Sequence, residues 1–253
     1  MPGLIRRVGR RIKRLLGLGP VSTDYQLLPG PLPAGTLDGW CNPDVPKRQW
    51  QAFEPLLTDM RLGAYRQDFV ALGEAVHCTE LVNPLIVEIG CGSGWNSEVL
   101  DSVLRQPLRY IGGDYSLGMV QLGKAHYASV PFLVCDALSL PFGDASCDIL
   151  LSGGVLLHLA EYRKAIEESR RVARRFVVFH TVPVHFKKDT TFLKKRAYGE
   201  WVVEVVFNEK QLTHVFHESG LRVRRAIENI PYDLIHITGE HSTTKTYVCE
   251  VVA

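Results

Sequence analysis

The sequence predicts a doubly wound α/β domain on a mostly parallel sheet of seven strands, ending in an antiparallel hairpin. Three observations predict it. From residue 84 onward, apolar strand-like runs alternate with helical patterns. Three glycines, Gly90, Gly92 and Gly94, directly follow the first of those runs. Polar residues then recur where later strands end, at Asp114, Asp136 and Ser152.

Each element follows from local pattern. Residues 84–89 are a largely apolar run, suited to a central strand buried on both faces. Residues 95–104 read as a helix and 108–112 as a second strand. Ser116 can cap a helix reaching about His126. Strands are expected at 131–135 and 147–152, an amphipathic helix at 159–173 and a fifth strand at 176–181. Asn208 with Gln211 has the spacing of a helix start, and Gly220 marks its stop. Residues 221–229 and 243–252 have no long helix between them, so they are expected to pair as the hairpin.

The first 80 residues have a different texture. On a helical wheel, Leu4, Ile5, Val8, Ile12, Leu15 and Leu16 share one arc, and the six basic residues of this stretch lie outside it. That predicts a basic amphipathic helix over 1–18, suited through residues 3–18 to an anionic membrane surface. Residues 19–46 are a Pro/Gly-rich linker that carries Trp40. Helical patterning fills 47–80, broken near Gly63, and the main domain is expected over 47–253. Within it, 183–207 reads as a long lid-like insertion with the basic clusters Lys187-Lys188 and Lys194-Lys195-Arg196.

Bulk numbers set limits. The net charge is +2 over 253 residues, from 29 basic and 27 acidic side chains, and six of the basic ones lie in the first 20 residues. The remaining body is therefore mildly acidic and offers no broad basic groove, so no nucleic-acid partner is expected. None of the six cysteines forms a C-x-x-C pair, which suits reduced thiols in a cytoplasmic protein with at most peripheral membrane contact. A monomer or homodimer is expected.

The chemistry concentrates at the carboxyl ends of strands, where open α/β sheets bind ligands. Gly90, Cys91, Gly92 and Gly94 form a tight turn that a ligand can approach closely. Dinucleotide spacing would put a third glycine at position 95, which is Trp95. Glu88, two residues before the first glycine, would repel a pyrophosphate and suit a cationic ligand. Asp114 can accept two ribose hydroxyls. Asp136 can accept from an adenine amino group, with Ala137 and its apolar neighbours against the ring. Ser152 and Gly153 end the fourth strand.

These residues resemble the class I methyltransferase fold, in the broad group that includes small-molecule, quinone and glycan methyltransferases. The shared pattern is E/D-x-G-x-G-x-G, an acid ending strand two, D-A-x-x-L-P-F, then an apolar run ending in His, matched in order over about residues 80–181. The resemblance implies a Rossmann-like sheet with strand order 3-2-1-4-5-7-6 and S-adenosylmethionine as cofactor. It implies that Glu88 and Gly90 face the methionine end, Asp114 the ribose, and Asp136 with Ala137 the adenine. Tyr115 and Met119 join the expected cofactor-binding set. Acceptor specificity then falls to residues 1–79 and 182–253.

For methyl transfer to oxygen, a base helps. His158 is the first candidate, followed by His180 and His185. The last two could pair on a metal, but no third ligand has suitable spacing, and no metal site is expected. Trp40, Tyr65, Tyr198 and Trp201 are candidates for walling a small-molecule, glycan or lipid-linked acceptor. Two other readings stay open: an NAD(P)-dependent oxidoreductase, disfavoured by Glu88, Trp95 and Asp136-Ala137, and a non-catalytic S-adenosylmethionine-binding scaffold with a membrane-binding helix.

Overall fold

A computed structural model describes residues 25–33 and 35–252, so the helix expected over 1–18 lies outside the described residues. The expected strand at 84–89 is β2 (Leu85–Ile89), and it is central. It pairs in parallel with β3 (Arg109–Asp114) on one edge and β5 (Cys147–Gly153) on the other. β3 pairs with β4 (Phe132–Val134), and β5 with β6 (Ala173–His185), again in parallel. β10 (Thr243–Val251) runs antiparallel between β6 and β9 (Leu221–Glu228). Over these seven strands the order is β4-β3-β2-β5-β6-β10-β9.

The described sheet has ten strands where seven were expected. The additions are β1 (Tyr25–Leu27), β7 (Thr191–Ala197) and β8 (Glu200–Asn208). The 183–207 segment is therefore a β-hairpin and not a long connection. Its turn is Tyr198-Gly199, both in the left-handed region (φ 51 and 89), which matches the twist of a two-residue hairpin. β1 adds itself to the outer edge of β7 and gives structure to part of the expected linker.

β6 also runs longer than the expected 176–181, and the excess makes a fork. Its early residues pair with β5 up to His180, opposite Gly153. Beyond the end of β5, Val184 and His185 pair with Phe207 and Asn208 of β8. Val184 pairs with Thr243 of β10 on its other edge. β8, β7 and β1 thus leave the sheet over the carboxyl end of β5. Between the two partnerships stands Thr181 with φ 56. A β-branched side chain is rare in that region and costs about 1–3 kcal/mol. Its hydroxyl accepts from Asn229 Nδ2 at 3.2 Å.

Helices cover both faces. Because successive strand residues point to opposite sides, Val87 and Ile89 join one core, with Leu150, Phe179, Phe216 and Tyr247, beneath α5 (Tyr162–Val172) and α6 (Glu209–Glu218). Ile86, Ile149, Val178 and Val248 join the other, beneath α1 (Val45–Arg61), α2 (Gln67–His77) and α3 (Trp95–Leu104). α4 (Leu117–His126) follows β3, starting after Ser116. The helix expected at 159–173 is shorter, because a 3-10 turn at Leu156–His158 precedes α5. Asn208 Oδ1 accepts the Gln211 amide at 3.1 Å and caps α6 as expected. Among the described residues no helix is long and apolar enough to cross a membrane.

Candidate active site

The turn after β2 is built by backbone conformation. Gly90, Gly92 and Gly94 have φ of 63, 55 and 81, where other residues are strained. At Gly90 space decides as well, since a Cβ there would lie 2.4 Å from Val155 Cβ. Cys91 is buried, and burial pushes its thiol well above the usual range, so it packs rather than reacts. Asp114 ends β3 and braces the turn. Its Oδ2 accepts the Gly92 N–H at 2.8 Å and its Oδ1 the Ser116 N–H at 2.9 Å. Burial raises the Asp114 carboxyl, and the two backbone donors oppose that rise.

Glu88 sits differently from expectation. It points to the α3 side of β2 and is fully buried, so it presents no exposed carboxylate to a ligand. Asn96 Nδ2 donates to its Oε1 at 2.7 Å, and the Tyr110 hydroxyl donates to its Oε2. Burial pushes its carboxyl up to about 7 against those two donors. Gly153 lies against it, and a Cβ on Gly153 would come within 1.7 Å of Oε1. Glu88 therefore supports the loop from below.

The other cofactor candidates divide. Ser152 is buried at the end of β5, while Gly153 and then Gly154 open the loop, and a Cβ on Gly154 would meet nothing within 4 Å. Asp136 is exposed and its Oδ1 accepts the Leu138 N–H at 2.9 Å, which curls the chain after β4 and leaves Ala137 buried. Tyr115 is 41% exposed and lies beside Cys41 and Asp38. Met119 is buried inside α4.

The carboxyl edge of β5 faces the hairpin. His158 closes the 3-10 turn, and its Nδ1 lies 2.7 Å from the Val203 carbonyl of β8. A carbonyl only accepts, so the proton is on Nδ1 and Nε2 carries the lone pair. Burial lowers this imidazole to about 4, so it is neutral at physiological pH. Trp40 packs edge-on against it at 4.8 Å and against Tyr198 at 5.8 Å. The Trp40 Nε1 is buried without a hydrogen-bond partner.

Three candidates have other partners. His185 is fully buried with Nδ1 on Glu240 and Nε2 on the Val206 carbonyl, so neither nitrogen is free to act as a base. Tyr65 bonds Ser102 at 3.1 Å and packs against the core beneath α1, α2 and α3. Trp201 is covered by the Lys194 ammonium, 5.0 Å over its ring. His180 is buried and its Nδ1 meets Thr246 Oγ1 at 2.9 Å; burial lowers it too, to about 4. Among the described residues, no group of three His, Cys, Asp or Glu is placed to hold a metal.

Sequence patterns missed several polar residues here. Arg66 pairs with buried Asp68 near His180. Lys195, Glu204, Tyr232 and Tyr25 form a chain inside the hairpin: Nζ to Glu204 Oε2 at 2.7 Å, Tyr232 onto Oε1, and Tyr25 to Tyr232 at 2.6 Å. Gln49, in the first turns of α1, is buried with its Oε1 unpartnered. These residues come from distant segments, and only the fold brings them together.

Residues 87–179 match the family model described as a methyltransferase domain. Over these residues the chain is similar to the S-adenosylmethionine-dependent methyltransferases. It is 33% identical over 93 residues to a protein of Bos taurus named "Probable tRNA methyltransferase 9B", covering 37% of this chain and 19% of that one. It is 32% identical over 93 residues to the demethylmenaquinone methyltransferase of Paenarthrobacter aurescens (strain TC1), covering 37% and 36%. The chain thus spans well under half the length of these two relatives. A Burkholderia thailandensis 1,6-didemethyltoxoflavin-N1-methyltransferase, solved with S-adenosylhomocysteine, has the same fold: TM-score 0.60, 14% identity, covering 93% of this chain and 98% of that one. The methyltransferase domain's cofactor is S-adenosylmethionine, and the residues present fit it. Space is open at Gly154 after β5, Asp114 offers a carboxylate at the end of β3, and Gln49 Oε1 and Ser93 Oγ at the glycine turn are buried polar atoms with no partner.

Proposed function

We propose that this protein transfers the methyl group of S-adenosylmethionine to an oxygen of a small-molecule acceptor. The observation that carries the oxygen assignment is the His158 ring, fixed through Nδ1 on Val203 with its Nε2 lone pair free. The cofactor supplies an activated methyl group, so the protein's task is alignment and proton removal. Asp114 would hold the ribose hydroxyls, Asp136 and Ala137 the adenine, and Gly90 to Gly94 the methionine end, with Glu88 acting from beneath. Ser152 and Gly153 would border the same end. His158 Nε2 would take the acceptor's hydroxyl proton as the oxygen attacks. Trp40 and Tyr198 would flank the acceptor and keep water out. His180, with Arg66 and Asp68 nearby, would form the far wall.

The acceptor class follows from this lining: a compact hydroxyl-bearing molecule, including one attached to a glycan or lipid. Contact of residues 3–18 with an anionic membrane would bring a lipid-linked acceptor to the site. Incubation with methyl-labelled S-adenosylmethionine and a panel of hydroxylated small molecules, lipid-linked glycans and tRNA tests the proposal by mass spectrometry. Label on an oxygen of a small or lipid-linked acceptor is expected. Label only in tRNA, or only on nitrogen or carbon, overturns the oxygen assignment.

A further inference from the structure

The glycine turn has a neighbour that none of the family's motifs includes. Gln49 lies in the first turns of α1 and is 8% exposed, and its Oε1 has no hydrogen-bond partner. A Cβ built on Gly92 would stand 3.0 Å from that oxygen, so Oε1 is aimed at the turn. A second unpartnered buried oxygen, Ser93 Oγ, belongs to the turn itself. Buried polar atoms normally find partners, and two orphans at one turn mark a place where a ligand supplies them.

The side chain is held in place. Gln49 lies beside the Tyr198 side chain at the hairpin turn. Its neighbour Arg48 donates from Nη1 to the Tyr198 carbonyl at 2.9 Å and reaches Glu200 Oε1 at 3.4 Å. Asn42 Nδ2 donates to the same Glu200 oxygen at 3.0 Å. The start of α1 is therefore tied across the glycine turn to the hairpin, with Gln49 at the crossing.

We propose that Gln49 Oε1 is a cofactor ligand that accepts a hydrogen bond from the α-ammonium of the methionyl group. The proposal rests on the methyltransferase reading above. The argument is one of donor and acceptor type. An ammonium only donates and carries three N–H bonds, so beyond any backbone carbonyl of the turn it needs further acceptors, and the N–H groups of the turn cannot serve. Ribose hydroxyls both donate and accept, and Asp114 already stands at the strand end for them. An amide oxygen beside Gly92 supplies the acceptor that the ammonium needs.

Isothermal titration with S-adenosylhomocysteine and with 5′-methylthioadenosine, which lacks the amino-acid arm, tests it on the full chain. Gln49→Met should weaken S-adenosylhomocysteine by ~10- to 100-fold, the range for one hydrogen bond to a charged group, and leave 5′-methylthioadenosine within about twofold. Gln49→Glu keeps an acceptor oxygen and should bind S-adenosylhomocysteine at least as tightly as the native chain. The midpoint of thermal unfolding of ligand-free Gln49→Met should not fall, because the variant removes an unmet acceptor. Unchanged S-adenosylhomocysteine affinity in Gln49→Met overturns the proposal. So does an equal loss for both ligands, which would move the contact to the nucleoside. A native chain that binds neither ligand overturns the methyltransferase reading and this proposal with it.

Discussion

Gly153→Ala isolates the contact between the strand end and the buried acid beneath it. The backbone at Gly153 is not in the left-handed region, so an alanine there meets no conformational penalty. The obstacle is spatial: the new Cβ would sit 1.7 Å from Glu88 Oε1 and 2.8 Å from Asn96 Nδ2. A contact at ordinary van der Waals distance needs the carboxylate to retreat by roughly 2 Å. That movement breaks the Asn96 bond and strains the Tyr110 bond in a fully buried site. Losing a hydrogen bond to a buried charged group costs about 1.5–3 kcal/mol, and overpacking adds about 1–3 kcal/mol. The expected destabilisation is about 3–5 kcal/mol. Urea unfolding of Gly153→Ala, Glu88→Ala and the double variant measures it. Glu88→Ala removes the obstructing atoms, so the double variant should be no less stable than Glu88→Ala alone, a strong departure from additivity. A loss below about 1 kcal/mol for Gly153→Ala, or additive losses in the double variant, would refute the packing argument.

Three further perturbations address titration and ligand contact. Folding raises the Glu88 carboxyl from its usual 4.5 to about 7, so the folded state favours the protonated acid. Its contribution is full below pH 4.5 and is lost as pH rises to about 7, by roughly 3 kcal/mol; Glu88→Gln should flatten the unfolding free energy across that window, and an unaltered pH slope excludes the assignment. His158 is lowered to about 4, so its proton NMR titration in the free protein should centre near that value, and activity should not decline on acidification until well below pH 6. A midpoint near 6.5 would show the ring to be solvated and not packed under Trp40. Asp114→Asn should weaken S-adenosylhomocysteine by about 1–3 kcal/mol in calorimetry, and equal affinity would remove Asp114 from the ribose contact.

Much of this arrangement was legible because its causes are local. A buried parallel strand must be apolar, a tight turn needs glycine, and acids at strand ends stand out against apolar runs. Residues 84–114 carry all three signals within thirty positions. Glu88 was legible as a residue of interest but not in its role, because alternation along β2 turns it toward Asn96 and Tyr110, and nothing short-range specifies those partners. The hairpin of β7 and β8 was hidden by its basic residues, which suggest a solvated loop. Lys195 is neutralised by Glu204, a partner set by cross-strand register. One local signal was present, a glycine after Tyr198 between runs rich in β-branched and aromatic residues. β1 is three residues long and exists only because β7 offers an edge.

The fork in β6 has an engineering consequence. Among the described residues the hairpin joins the parent sheet through two ladder pairs, Val184 with Phe207 and His185 with Asn208, and both lie past His180, the last residue of β6 that pairs with β5. Its sequence can diverge without disturbing the strands that shape that turn. Exchange of residues 186–206 between related chains is thus a natural unit of transplantation: the graft would carry the Val203 carbonyl that orients His158 and the Tyr198 that meets Gln49, while the donor-side strands stay as they are. On the proposed function, such a graft would retune the acceptor while leaving unchanged the strands that form the glycine turn.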